Sequence, residues 1–333
     1  MTDGAATTQS VLPSPGIYPE RFDMLDAWRG LAAVGVVLYH LDVFGYGHES
    51  VILFFVISGY CIVAAAESCM KRGLGFRGFM WRRIRRIYPP YVLSLLFFIA
   101  TRMVKTASGG ENQLAQPLMV WVQNFTLTQW VSLLFNPQPQ AFMNRTNFVG
   151  IYWSLNYEEQ FYLLVAGMMV LAVAWGIGTL RLIVPLLAVA LAWNLLLPDR
   201  CYGLFIEYWA HFAIGCLLFY RLCRMNGRGL RRTVDLFFLA VVIAGVAYRY
   251  HLRAAGKGGT MPEISVAAAF ALVLVVTRPY NVLFARSIPG RLLMILVLIS
   301  FSLYLVHQFN MNLFKTVASR VFPAESHAWL LVA

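Results

Sequence analysis

The sequence predicts an all-α fold: a polytopic transmembrane bundle of about ten helices, the last of them truncated at Ala333. Three observations predict it. Charged residues make up only 13% of the chain, against about 25% in a typical soluble domain, so most of the surface needs a solvent other than water. Hydrophobic residues make up 59% and the mean hydropathy is +0.65. Apolar runs of about one bilayer thickness recur along the whole chain, separated by short connections.

The runs fall near 25–44, 50–68, 87–105, 150–174, 182–197, 203–220, 234–248, 263–277 and 292–313, and a further one starts near Trp329. The shorter ones suit a crossing with little tilt or a locally thin bilayer. Residues 1–20 are polar, and no apolar stretch follows a basic start, so they read as a disordered cytoplasmic tail and not as a cleaved leader. The membrane domain is then 21–333.

Three connections set the orientation. Segment 71–86 holds Lys71, Arg72, Arg77, Arg82, Arg83, Arg85 and Arg86. Segment 221–232 holds Arg221, Arg224, Arg228, Arg231 and Arg232, and segment 278–291 holds Arg278, Arg286 and Arg291. Alternating helices put all three on one side, which the positive-inside rule makes cytoplasmic, together with the N-terminus. The opposite side receives 42–50, 106–149, 198–202, 249–262 and 314–328. Within 106–149, the stretch Pro117–Phe135 reads either as an interfacial amphipathic segment or as a packed re-entrant loop.

The same placement explains the formal net charge of +12 without nucleic acid, because the basic residues sit between apolar runs and form no stripe. Five irregularly spaced cysteines make neither a disulfide framework nor a zinc site, and no metal is expected.

Ionisable groups inside a membrane are costly and point to function. The first run, LDAWRGLAAVGVVLYHL, carries Asp26, Arg29 and His40. Eleven residues separate Arg29 from His40, which at about 100° and 1.5 Å per residue leaves both on one face, about 16 Å apart. Asp26 is one turn from Arg29 and can pair with it. Glu158 and Glu159 enter the fourth run from its outer end, and Ser300, Tyr304 and His307 lie on the ninth. Counted at about 1.5 Å per residue, His40, Glu158 and His307 reach similar depths in the outer half, while Arg29 lies in the inner half. Glu159 reads as a carboxylate in interfacial water, and His211 as a satisfied packing histidine.

Six segments, in order, resemble the acyltransferase family 3, the bacterial integral-membrane O-acyltransferases of polysaccharides, lipopolysaccharide and related glycans. LDAWRGLAAVGVVLYH is similar to the family's opening helix, with Arg29 and His40 on its Arg and His. FFVISGY, Phe54–Tyr60, is similar to the second-helix signature. RRIRRIYPPY resembles the Arg-x-x-Arg stretch, matched at Arg83 and Arg86. WSLNYEEQFYL resembles Trp-Ser-Leu-x-x-Glu, with Glu158 as the acid. FAIGCLL resembles the sixth-helix Phe-x-x-Gly, and SFSLYLVHQ the late signature, at Ser300, Tyr304 and His307. Members often carry an acid just before Leu-Phe-Phe; this chain has Ile52 there, with Glu49 nearby.

The resemblance implies a plasma-membrane (inner-membrane) enzyme with no bound cofactor, using cytoplasmic acyl-CoA, expected to be acetyl-CoA, as co-substrate. The acceptor is a hydroxyl of a glycan or lipid-linked saccharide. It implies that Arg83 and Arg86 bind the donor's phosphates, which suit charge-assisted hydrogen bonds. Arg29 steadies the donor or orients the site. His40 is the general base, and Glu158 either orients His40 or binds the acceptor. Asp26, Ser58, Ser300, Tyr304 and His307 line the site, with Ser58 and Ser300 as the hydroxyls open to acylation. The competing readings are a transporter or channel whose buried charges line a path, and a haem protein with His40 and His307 as axial ligands.

Overall fold

The computed structural model describes residues 22–135, 147–196, 203–255 and 261–308. Its helices are α1 (Asp23–His40), α2 (Gly47–Lys71), α3 (Gly75–Ala107), α4 (Leu118–Thr126), α5 (Trp130–Phe135), α6 (Trp153–Trp175), α7 (Leu180–Leu196), α8 (Ile206–Cys223), α9 (Arg228–Ala255), α10 (Met261–Thr277), α11 (Asn281–Arg286) and α12 (Ile288–Val306). No strand occurs among the described residues. The apolar runs read from the sequence fall on α1, α2, α3, α6, α7, α8, α9, α10 and α12. Residues 1–20 and the run from Trp329 lie outside the described residues. The fold is a helical membrane bundle.

Gly47–Lys71, Gly75–Ala107, Gly150–Trp175, Glu263–Arg286 and Ile288–Val306 are each long and apolar enough to cross a membrane. The more polar α8 shows why hydropathy alone is an incomplete guide. It carries Glu207, His211 and Arg221, yet almost every residue from Ile206 to Tyr220 is buried by protein. Its solvent is the rest of the bundle, so its polar groups face protein and not lipid. By contrast α12 buries few residues, and its Leu298 is exposed, as are Leu93 and Met103 on α3 and Val246 on α9. These chains supply the apolar outer belt.

The centre is the crossing of α2 and α8. A β-carbon added at Gly59 would lie 2.0 Å from the Phe212 carbonyl oxygen, and one at Gly215 would lie 1.9 Å from that of Val56. Two backbones therefore touch through two glycines, the small-residue packing that membrane helices use in place of a hydrophobic driving force. Around this pair α1 packs on α2 and α12, α6 on α2 and α3, and α10 on α8 and α9.

The basic segment 71–86 is not the loop the sequence suggested. It is largely the start of α3, one helix of 33 residues. At about 1.5 Å per residue that is about 50 Å, well beyond the ~30 Å hydrocarbon core. The arginine-bearing turns are thus the part of α3 in excess of a span. Pro89 and Pro90 lie within it, so the carbonyls four residues before them have no helical N–H.

On either side of the prolines, α3 holds the segment between α3 and α6. Tyr91 donates to the Asn124 carbonyl at 2.5 Å, and the Tyr88 hydroxyl lies 3.2 Å from the Thr126 carbonyl. In α4, Leu118, Met119, Val122 and Phe125 are exposed while Gln123 and Asn124 are buried. That is the interfacial arrangement with its apolar face outward, one of the two readings open for Pro117–Phe135.

Candidate active site

Alternating helices bring the starts of α2, α6, α8 and α10 to one end of the bundle and the arginine-rich start of α3 to the other. Between them lies a cavity. Its polar lining is Arg29 from α1, Ser58 from α2, Arg86 from α3, Ser154 and Glu158 from α6, and Ser300 and Tyr304 from α12. Each helix contributes at helical spacing. On α2, Phe54, Phe55 and Ser58 share the cavity face, because residues three and four apart are neighbours on a helix surface.

Glu158 is held from two sides. Tyr162, one turn along α6, donates to its Oε1 at 2.5 Å, and Ser58 donates to the same oxygen at 3.4 Å. Arg29 is close enough to interact with this carboxylate electrostatically. The Arg29 guanidinium also pairs with Asp26 at 3.3 Å and donates to the Cys61 sulfur at 3.1 Å. Asp26 therefore touches the cavity only through Arg29.

Tyr304 closes the cavity on the α12 side. Its hydroxyl is 2.6 Å from Ser154 Oγ and 3.0 Å from the Ile151 carbonyl. One turn on, the buried His307 keeps Nδ1 at 2.8 Å from the Tyr304 carbonyl, while its Nε2 has no partner. The His307 ring lies 5.1 Å from that of His40, centroid to centroid. The two histidines thus meet as the depth count suggested. Glu158 does not join them: it belongs to the Arg29 cluster, on the other side of Tyr304. Orientation of His40 by Glu158 has no contact behind it.

Arg83 and Arg86 also part company. Arg86 is exposed and lines the cavity. Arg83 is buried over the rings of Phe79 and Tyr162, at 5.6 and 5.8 Å, with Nε and Nη1 unpartnered. It backs the tyrosine that holds Glu158.

Two further points depart from the sequence reading, and one extends it. Glu159 is not a carboxylate in water: Tyr88 donates to its Oε1 at 2.6 Å and its Oε2 is buried without a partner. His211 is fully buried, but neither ring nitrogen makes a well-formed hydrogen bond, so it is not satisfied. Ile52 is fully buried, so α2 offers no acid at that position. Sequence reasoning passed over Tyr162 and Cys61. Tyr162 was readable as the i+4 neighbour of Glu158, whereas nothing local marks Cys61 as a partner of Arg29.

The profile of an acyltransferase domain family, acyltransferase 3, matches residues 22–333. The chain belongs to the acyltransferase 3 family. Among curated relatives, "Protein 2 in picA locus" of Rhizobium radiobacter is 37% identical over 89 residues, 25% of this chain and 46% of that protein. A Bacillus subtilis (strain 168) protein provisionally named peptidoglycan O-acetyltransferase YrhL is 29% identical over 163 residues, 44% of this chain and 24% of that protein. A provisionally named O-acetyltransferase of Staphylococcus aureus (strain COL) is 28% identical over 145 residues, 42% of this chain and 23% of its own length. The chain thus spans less than half of each of these relatives. No solved structure matches it significantly. The acyltransferase 3 profile covers every helix that lines the cavity, so family membership and cavity concern the same residues.

Proposed function

We propose that this chain is a membrane O-acyltransferase that moves an acyl group, acetyl first among them, from cytoplasmic acyl-CoA to a hydroxyl of a glycan or lipid-linked saccharide. The observation that carries the reading is the joining, in one cavity, of an arginine from the basic end, a carboxylate held by Ser58 and Tyr162, and the hydroxyls of α12. An acyl-CoA carries phosphates at one end and a thioester at the other. Arg86, exposed at the cavity's edge, suits the phosphates, and the buried Arg83, with Nε and Nη1 unpartnered, adds positive charge behind it. Arg29 suits the thioester oxygen, where charge develops as the carbonyl is attacked.

In this reading the acceptor hydroxyl loses its proton to His40 as its oxygen attacks the thioester carbonyl. The carbon–sulfur bond then breaks, the CoA thiolate leaves, and protonation of that thiolate releases CoA. His307 is the ring against which His40 is set. Glu158 holds a neighbouring acceptor hydroxyl on its own side of Tyr304 and balances Arg29; it is not asked to orient His40. The names of the Bacillus subtilis and Staphylococcus aureus relatives support O-acetyl transfer, and the first of them, naming peptidoglycan, supports a glycan acceptor.

The reading sets the arginine-rich end in the cytoplasm of a bacterial inner-membrane protein and the starts of α2, α6, α8 and α10 outside. A cysteine placed at the exposed Ser108 of a cysteine-free background should then react with an impermeant maleimide in intact cells, and one at Arg228 should not. Reversal of that pattern would overturn the orientation. The activity is tested by thiol release from acetyl-CoA with a saccharide acceptor present. Acceptor-dependent release is expected, and its absence in folded protein would count against the reading.

A further inference from the structure

At the end of the bundle opposite the arginines lies a second cluster that the transfer chemistry leaves unused. The His48 ring, on the first turn of α2, lies parallel to the Trp153 indole, with centroids 6.1 Å apart and 7° between planes. His48 Nε2 is 3.1 Å from Glu263 Oε1 on α10. The Tyr208 ring of α8 is 5.4 Å from Trp153 and 6.4 Å from His48. Beneath it, the buried His211 ring is 5.5 Å from Tyr208. Four helices thus contribute to one aromatic and polar site.

Two features argue for a ligand. The first is unmade hydrogen bonding: Glu263 Oε2 is buried without a partner, and the buried His211 ring, whose one neighbour of that kind is the Tyr208 backbone, leaves a nitrogen unpaired. Leaving such atoms unpaired is costly, and packing alone gives no reason to keep them together. The second is access: the His48 side chain is 41% exposed and that of Glu263 26%. The site therefore opens at the surface and turns polar with depth. Among the described residues, no group of His, Cys, Asp and Glu is gathered for a metal ion.

The chemistry fits a saccharide. A hydroxyl both donates and accepts, so it suits a carboxylate oxygen and an imidazole side by side. Aromatic rings beside a few convergent polar groups suit a ligand that is flat and apolar on one face and polar at its edge. Position relates the site to the cavity. Phe55 lines the cavity and also packs on Trp153 and Tyr208, at 6.0 and 5.1 Å. Ser154, adjacent to Trp153, lines the cavity as well. Trp153 precedes Glu158 by five residues of α6, a rise of about 7.5 Å.

We propose that Trp153 and Tyr208, with the His48–Glu263 pair at their rim, form the saccharide subsite of the acceptor. The acceptor lies on the rings and dips one hydroxyl past Phe55 toward Glu158. This rests on the acyl-transfer reading for its purpose, though its binding can be measured without a donor. Saturation-transfer NMR on the full chain in nanodiscs, with cellotetraose and the β-1,4 tetramer of N-acetylglucosamine as probes, tests it. Wild type and a control changed at the exposed Ser108, Ser108→Ala, should show equal transfer to at least one probe. His48→Ala and Trp153→Ala should reduce it at least about tenfold, the loss of one charge-assisted contact. Should Trp153→Ala fail to fold, Glu263→Gln, which keeps the shape, decides: lost binding supports the site and retained binding overturns it. No transfer from wild type to either probe, or equal transfer from folded variants, also overturns it. Saccharide binding in protein that never turns over acetyl-CoA would count against the acyl-transfer reading, and not against the subsite.

Discussion

One face of α2 builds the fold and another builds the site, and the two are made of opposite materials. Toward α8 it presents Val56 and Gly59, where the backbones approach so closely that one added carbon overlaps a carbonyl oxygen. Toward α1, α6 and α12 it presents Phe54, Ser58 and Cys61, which leave a cavity and touch Glu158 and Arg29. The crossing has no spare room and no charge. The cavity has room, and it carries the charges of Arg29, Arg86 and Glu158. Damage to the first should therefore appear as lost stability, and damage to the second as lost turnover at ordinary stability.

The largest effect belongs to the site. His40→Gln keeps volume and hydrogen bonding but removes basicity, and it should lower the transfer rate by about 10²- to 10⁴-fold. The unfolding midpoint should hold, because His40 is only half-buried and its rings of contact are Tyr39 and His307. Near-wild-type turnover in this variant would remove His40 from the chemistry.

Glu158→Gln should come next, at about tenfold to a hundredfold in rate, the range for one charged hydrogen-bonding group. It should be less complete than His40→Gln, since the carboxylate orients and balances charge and accepts no proton. A melting point that fell in step with the rate would place Glu158 with the fold and break the contrast.

On the other face, Gly215→Ala should destabilise by about 1–3 kcal/mol, the usual range for overpacking. Thermal unfolding in detergent would read it, with turnover per folded molecule little changed. An unchanged midpoint would mean that α2 and α8 part easily, against the close approach at Val56.

Arg83→Gln with Arg86→Gln should have the smallest effect, raising the KM for acetyl-CoA by about fivefold to tenfold through lost phosphate contacts. Insertion should survive, since Lys71, Arg72, Arg77, Arg82 and Arg85 still bias the orientation. A loss explained by protein missing from the membrane would make the pair topogenic alone.

The same contrast governs what could be read in advance. The spans were legible because lipid imposes a length and an apolar content that local sequence must meet. The polar residues of α1 and α12 were legible because a charge inside a span needs a reason. Their grouping was not. Depth along an axis placed His40 near His307 correctly, but it could not say that Tyr304 stands between them and Glu158, because depth ignores which face of a neighbouring helix is turned inward. The start of α3 was misread as a loop because its arginines satisfy the rule for loops, although a helix longer than the bilayer carries the same charges outside it equally well. His211 was misread because nothing local to α8 shows that its ring is left unpaired.

We propose that the cavity and the His40–His307 pair beside it transfer an acyl group from acyl-CoA to a hydroxyl. This is tested most directly by reconstituting the full chain in liposomes with radiolabelled acetyl-CoA and a saccharide acceptor, and measuring released thiol and acceptor-bound, base-labile label together. The account predicts that the two appear in equal amounts, that both depend on the acceptor, and that both fall together in His40→Gln and in Glu158→Gln. Folded wild-type protein that releases no more thiol than heat-inactivated protein, or that labels the acceptor equally well without His40 and Glu158, would contradict it.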